Sequence, residues 1–140
     1  MMKKRMPVSM IMSKELVTVS YLDDLTTAER LFKRNNIRHI PVVNGLKIVG
    51  MLSYTDLLRI SYADAVDEYE TEVDTMVYNM FTIEQVMAKN LIKVSPQTTI
   101  KEVAEILSER EFHAIPVVDE GVLVGIVTTT DLINYLLEQY

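Results

Sequence analysis

The sequence contains no cysteine. That excludes disulfides, thiolate zinc sites and a cysteine nucleophile, and it leaves the redox compartment open. No apolar run is long enough to span a bilayer, so membrane insertion is not expected. Met1 to Arg5 is basic, but no sustained apolar stretch follows it, so this is not a secretory leader and a cytoplasmic location is expected. Between Arg59 and Lys89 there is no Lys or Arg, while Asp64, Asp67, Glu68, Glu70, Glu72, Asp74 and Glu84 all fall there. Those seven carboxylates outweigh the net charge of −6 carried by the whole chain, so the acidity belongs to one segment. No basic stripe remains that would track nucleic-acid phosphates, and nucleic acid is not an expected partner. The chain also lacks a Gly-rich phosphate loop, a nucleophile–base pairing and a metal-ligand cluster, so it does not read as an enzyme.

What the chain does have is a duplication. Ile40-Pro41-Val42-Val43 recurs as Ile115-Pro116-Val117-Val118, and Gly50-Met51-Leu52-Ser53-Tyr54-Thr55-Asp56-Leu57 recurs as Gly125-Ile126-Val127-Thr128-Thr129-Thr130-Asp131-Leu132. The offset is 75 residues throughout, without a gap, and it also relates Met12 to Met87, Leu16 to Leu91 and Val19 to Val94. Two copies are too few for a solenoid, so a pseudo-symmetric pair with two equivalent sites is expected. The first repeat covers residues 7–60, an acidic connector 61–82, and the second repeat 83–140. The connector has neither Gly nor Pro, and apolar spacing at Ala65, Val66, Tyr69 and Val73 predicts helix. Its carboxylates lack the ordered spacing and Gly of a calcium loop, so no metal site is assigned.

Each repeat parses as β-α-β-β-α, an α/β (α+β) unit. A short extended stretch (16–19 and 91–94) precedes a helix with one apolar stripe: Leu25, Ala28, Leu31 and Phe32, then Ile100, Val103, Ala104 and Leu107. Thr99 with Glu102 reads as a capping box, and Thr26 with Glu29 as its counterpart. Two apolar strands follow, turning at Asn44-Gly45 and at Asp119-Glu120-Gly121. Their near-continuous apolar runs predict cover on both faces. A last helix opens after Ser53 or Thr128.

That last opening can carry chemistry. Ser53 as N-cap and Asp56 at the third helical position are what helix capping alone would ask for. The same geometry attracts phosphate to free N–H groups and hydroxyls, and lets a carboxylate accept hydrogen bonds from ribose hydroxyls. Thr128, Thr130 and Asp131 repeat Ser53, Thr55 and Asp56, although other copied positions have drifted, such as Arg30 to Glu105. Capping does not require all three, so the doubled hydroxyl-hydroxyl-carboxylate favours ligand binding.

The tandem Ile-Pro-Val-Val, hairpin, then Gly-apolar-apolar-Ser/Thr-x-Thr-Asp pattern resembles the CBS domain pair, or Bateman module, over nearly the whole chain. The resemblance implies two repeats packed sheet to sheet, with clefts between them that take adenosine derivatives such as AMP, ADP, ATP or S-adenosylmethionine. It places Asp56 and Asp131 on ribose, and Ser53, Thr55, Thr128 and Thr130 near phosphate, joined by Arg38, His39 and His113. It places Val17, Thr18, Ile40 and Pro41 on one base, and Ile92, Lys93, Ile115 and Pro116 on the other. The two histidines lack a partner at catalytic spacing, whereas partial protonation near neutral pH suits phosphate. Ala114 replaces a basic residue, so unequal clefts are expected. The resemblance further implies a homodimer and a regulatory role toward a separate enzyme or transporter. No obligatory cofactor is expected; the adenosine nucleotide is a regulatory ligand, with or without magnesium. The competing expectation is a ligand-independent dimerisation scaffold, with Leu132, Ile133, Leu136, Leu137 and Tyr140, together with Met76, Met80 and Phe81, as its surface.

Overall fold

In a computed structural model of the chain, residues 5–64, 80–110 and 113–140 are described. The order of elements is β1 (Val19–Ser20), α1 (Leu25–Asn35), β2 (His39–Asn44), β3 (Lys47–Ser53), α2 (Tyr54–Asp64), α3 (Ile83–Val86), α4 (Ile100–Glu109), β4 (Ala114–Asp119), β5 (Val122–Thr128) and α5 (Thr129–Glu138). This mixed α+β architecture agrees with the element pattern read from the sequence. The connector predicted as helix begins with the end of α2, and residues 65–79 lie outside the described residues.

The compact units are not contiguous in sequence. One consists of Val17–Asn90, the other of Met1–Leu16 together with Leu91–Tyr140. In the first, β1 pairs parallel to β2, and β2 pairs antiparallel to β3. Ala88 then bridges Met51, with N–H···O bonds of 2.9 and 3.0 Å in the two directions. In the second, β4 pairs antiparallel to β5, Val94 bridges Val117 in parallel, and Ser13 bridges Ile126. The Ser13–Ile126 bonds measure 2.8 and 3.1 Å. The segment ahead of each repeat therefore adds an edge to the sheet of the other. Val8 and Ile83, 75 residues apart, anchor these two segments, each fully buried.

Local rules explain the elements. The second hairpin closes on Glu120-Gly121, within the expected turn, whereas the first closes on Gly45-Leu46, one residue later than the expected Asn44-Gly45, because Asn44 stays in the strand and pairs with Lys47. Gly45 has φ +66°, while Glu120 and Gly121 have φ +51° and +82°, so the second hairpin carries positive φ at both loop positions, as a type I′ turn does. Both hairpins slip register at equivalent places, leaving Val49 and Val124 as the extra residues of a bulge. The α4 capping box is present as expected, with Thr99 Oγ1 accepting from Glu102 N–H at 3.1 Å. For α1 the expectation of Thr26 and Glu29 is corrected: Asp24 is the cap, its Oδ1 accepting from Thr27 N–H at 2.8 Å. An aspartate two residues earlier starts the helix sooner and leaves Thr26 inside it.

Each unit has its own core. Val19, Leu25, Ala28, Phe32, Ile40 and Leu52 lead one, and Val8, Val103, Ile115, Val117 and Val127 the other. Burial along β2 and β4 is near-continuous, as expected. Along β5 it alternates, with Leu123, Gly125 and Val127 inside and Val124 and Ile126 half-buried, so cover on that strand is one-sided.

Candidate functional site

The topology gathers the predicted residues at one end of each sheet. Because β1 runs parallel to β2, the residues that lead into both strands lie at the same end. Because β3 runs antiparallel to β2, its last residue, Ser53, returns to that end and pairs with His39. There α2 begins, and Tyr54 N–H donates to the Arg38 carbonyl at 2.9 Å. Val17, Thr18, Arg38, His39, Ile40, Pro41, Ser53, Thr55 and Asp56 are thus brought to one edge of a single unit. The other unit repeats the construction: Thr128 pairs with Ala114, and Thr129 N–H donates to the His113 carbonyl at 3.0 Å. Ile92, Lys93, His113, Ile115, Pro116, Thr128, Thr130 and Asp131 share that edge.

The depth of these residues divides them. Ile40 and Ile115 are fully buried, and Pro41 and Pro116 are buried beside them, so these four back the edge from the core side. Val17 and Ile92 are half-buried, and Thr18, Lys93, Arg38 and His113 are exposed. The helix starts offer polar atoms at the surface, with Thr55 and Thr130 exposed and Ser53, Asp56, Thr128 and Asp131 half-buried.

The two helix starts are alike in plan and differ in detail. Ser53 Oγ accepts from Asp56 N–H at 3.0 Å, and Thr128 Oγ1 from Asp131 N–H at 3.1 Å. At the second start the carboxylate reciprocates, Asp131 Oδ2 accepting from Thr128 N–H at 2.9 Å to complete a capping box. At the first, Asp56 Oδ1 meets the Arg59 guanidinium at 3.3 Å. Arg59 was not among the residues singled out from sequence, although its i, i+3 spacing from Asp56 on a helix is the signal for such a pair. Its counterpart in the second repeat is Asn134, so the Asp56 edge, with Arg38, His39 and Arg59, is the richer in nitrogen bases. Each edge can hold an anion by N–H and hydroxyl donors, and a pair of vicinal hydroxyls by its carboxylate. Among the described residues no group of three His, Asp or Glu is placed to hold a metal ion, and no helix is long and apolar enough to cross a membrane.

Comparison with known proteins agrees with this construction. The CBS domain model matches residues 8–63 and 83–138. Over 125 residues the chain is 27% identical to an uncharacterized protein, MJ1225, of Methanocaldococcus jannaschii, covering 88% of this chain and 44% of the relative, so it spans less than half of that protein's length. Among solved structures, the CBS domain pair of protein MJ0100 in complex with 5′-methylthioadenosine and S-adenosyl-L-methionine superposes with a TM-score of 0.79 at 26% identity, covering 96% of this chain and 98% of the other. AcuB from Vibrio cholerae gives the same TM-score and identity, covering 96% and 92%. The two matched segments take in most of the sequence and hold both edges described above: the chain belongs to the CBS domain family, as a tandem pair.

Proposed function

We propose that this chain is a regulatory module that binds adenosine-type ligands, nucleotides or S-adenosylmethionine, at the strand–helix edge of each repeat. The observation that carries this reading is the doubled helix start, in which hydroxyl, hydroxyl and carboxylate recur at the same register in both repeats. The adenosine ligands of MJ0100, a CBS pair of similar fold, support it. In this reading Asp56 and Asp131 accept hydrogen bonds from ribose hydroxyls, and Ser53, Thr55, Thr128 and Thr130 face phosphate. Arg38, His39 and His113 add positive charge, with magnesium as an optional companion of the phosphates. Val17, Thr18 and Ile92, backed by Ile40, Pro41, Ile115 and Pro116, flank the base together with the stem of Lys93. A ligand with unequal affinity for two arrangements of the chain shifts their balance, and a separate enzyme or transporter reads the shift. The module itself is non-catalytic, cytoplasmic and homodimeric.

Thermal unfolding against AMP, ADP, ATP, S-adenosylmethionine, NAD and cyclic di-AMP, with and without magnesium, tests the proposal. A ligand at a hundred times its Kd adds about 2.7 kcal/mol, a shift of several degrees. The shift should shrink in Asp56→Ala or Asp131→Ala, each compared with its own ligand-free transition. Equal shifts in the wild type and the double variant would falsify the site.

One observation favours a second reading. Ile133, Leu136, Leu137 and Tyr140 are each more than half exposed at the C-terminal end, an apolar surface that suits a scaffold whose work is association. A dimer indifferent to every ligand in the panel would support that reading over the first.

A further inference from the structure

The two edges set different charges around the same carboxylate. Asp131 Oδ2 accepts from Thr128 N–H at 2.9 Å, whereas Asp56 Oδ1 meets Arg59 Nη1 at 3.3 Å. The first partner is backbone and stays with its helix. The second is the tip of a long side chain, 73% exposed against 33% for Asp56. An exposed pair of this kind contributes little, so ribose hydroxyls can replace the guanidinium on Asp56 at small cost. The guanidinium then stands beside the bound sugar with its charge unmatched. At the equivalent place in the second repeat, Asn134 offers no charge. Arg38 of the first edge is likewise replaced by His113, and the second edge's Lys93 precedes Val94 on the strand side, away from the helix start. With the histidines neutral, Arg38, Arg59 and Asp56 leave +1 at the first edge, and Lys93 and Asp131 leave zero at the second.

We propose that Arg59 is a specificity-determining residue, which makes the Asp56 edge prefer 5′-phosphorylated adenosine to the unphosphorylated nucleoside, a preference the Asp131 edge lacks. This rests on the adenosine reading above and adds the charge class of ligand that each edge takes. Toward a nucleoside without phosphate, Arg59 is a competitor, because ribose gains the carboxylate only by stripping it of its counter-charge. Toward a nucleotide the same displacement is compensated, since the guanidinium fork closes on phosphate oxygens in bidentate contact. Until the ligand arrives, the pair also offsets an Asp56 charge that would repel phosphate. Specificity is a difference of two affinities, and this one side chain moves them in opposite directions.

Calorimetric titration with AMP and with adenosine tests this one edge at a time, because Asp131→Ala leaves the Asp56 edge and Asp56→Ala the Asp131 edge. In the Asp131→Ala protein, Arg59→Asn should lower the ratio of AMP to adenosine affinity on the order of tenfold, equivalent to about 1.4 kcal/mol. AMP should bind more weakly and adenosine no more weakly. In the Asp56→Ala protein the converse substitution, Asn134→Arg, places a guanidinium three residues after Asp131 and should raise the ratio. Arg59 and Asn134 are both exposed on their helices, so circular dichroism should not change in either variant. A ratio that Arg59→Asn leaves unchanged, or equal weakening of both ligands, would overturn the role of Arg59 and leave the adenosine reading standing. Failure of both ligands to bind the wild-type chain would overturn the proposal as well, and the thermal panel above then decides separately whether the adenosine reading falls with it.

Discussion

Met87 closes over Gly50: a methyl group built on the glycine would lie 2.7 Å from Met87 Cγ and 3.0 Å from the Ala88 carbonyl oxygen. Met12 stands in the same relation to Gly125, with its Cγ at 3.0 Å. These glycines let the segment ahead of each repeat lie flat against the sheet of the other. Gly50→Ala is therefore expected to cost about 1–3 kcal/mol, the usual range for overpacking. Gly125→Ala should cost less, because its three nearest contacts are to the flexible Met12 side chain, whereas the Ala88 backbone cannot swing aside. Denaturant midpoints at unchanged m measure both. Met87→Ala in the Gly50→Ala background should recover part of the loss, read as non-additivity in a double-mutant cycle.

That exchange of segments is what sequence reading missed. Hairpins, helices and the Thr99–Glu102 box were legible because each is set by residues within a few positions of one another. The pairing of Ser13 with Ile126 joins residues far apart in sequence, and nothing local marks it. A trace existed in the shared 75-residue offset of Met12/Met87 and Gly50/Gly125, but a repeat reports likeness, not which copy a segment packs on. The edge residues were legible because their types recur. Arg59 was not, because Asn134 stands at its place in the other copy.

The α1 cap responds to acid. Hydrogen bonds from Thr27, its side chain first and its backbone N–H second, hold the Asp24 carboxyl below its ordinary value of 3.8. A lowered folded-state pKa means that the ionised form favours the native chain. Its contribution is complete above that ordinary value and fades as the pH falls through the lower, folded one. Asp24→Asn keeps an acceptor for Thr27 N–H and should abolish this part of the acid sensitivity. Asp24→Ala loses the cap at every pH, at about 1 kcal/mol. Urea denaturation of the three proteins at pH 7 and pH 3 checks both, and a constant difference between wild type and Asp24→Asn would refute the first.

The second hairpin is built for a better residue than it has. Glu120 sits at φ +51° before Gly121, a conformation that costs a side chain bearing Cβ about 1–2 kcal/mol. Asn tolerates that region, and Asn-Gly is the preferred pair for a type I′ loop. Glu120→Asn should raise the thermal midpoint, whereas Gly121→Ala, at φ +82°, should lower it although nothing crowds the position. A fall for both would mean that the Glu120 side chain contributes something its backbone does not.

The two edge aspartates should separate folding from ligand binding. Asp131→Ala breaks a reciprocal capping box, so about 1 kcal/mol of stability, or a few degrees in Tm, should go even without ligand. Asp56→Ala removes an i, i+3 pair to a largely exposed Arg59, worth roughly 0.2–0.5 kcal/mol, and its ligand-free Tm should barely move. Asp131→Asn is the decisive variant. Its amide oxygen still accepts from Thr128 N–H, but the –NH₂ that replaces the other oxygen accepts nothing. If Asp131 serves only as a cap, Asn restores both Tm and the response to ligand. If its carboxylate takes two ribose hydroxyls, Asn restores Tm while the ligand-induced shift stays reduced, and calorimetric titration of the same protein shows the loss as weaker binding at one of two sites.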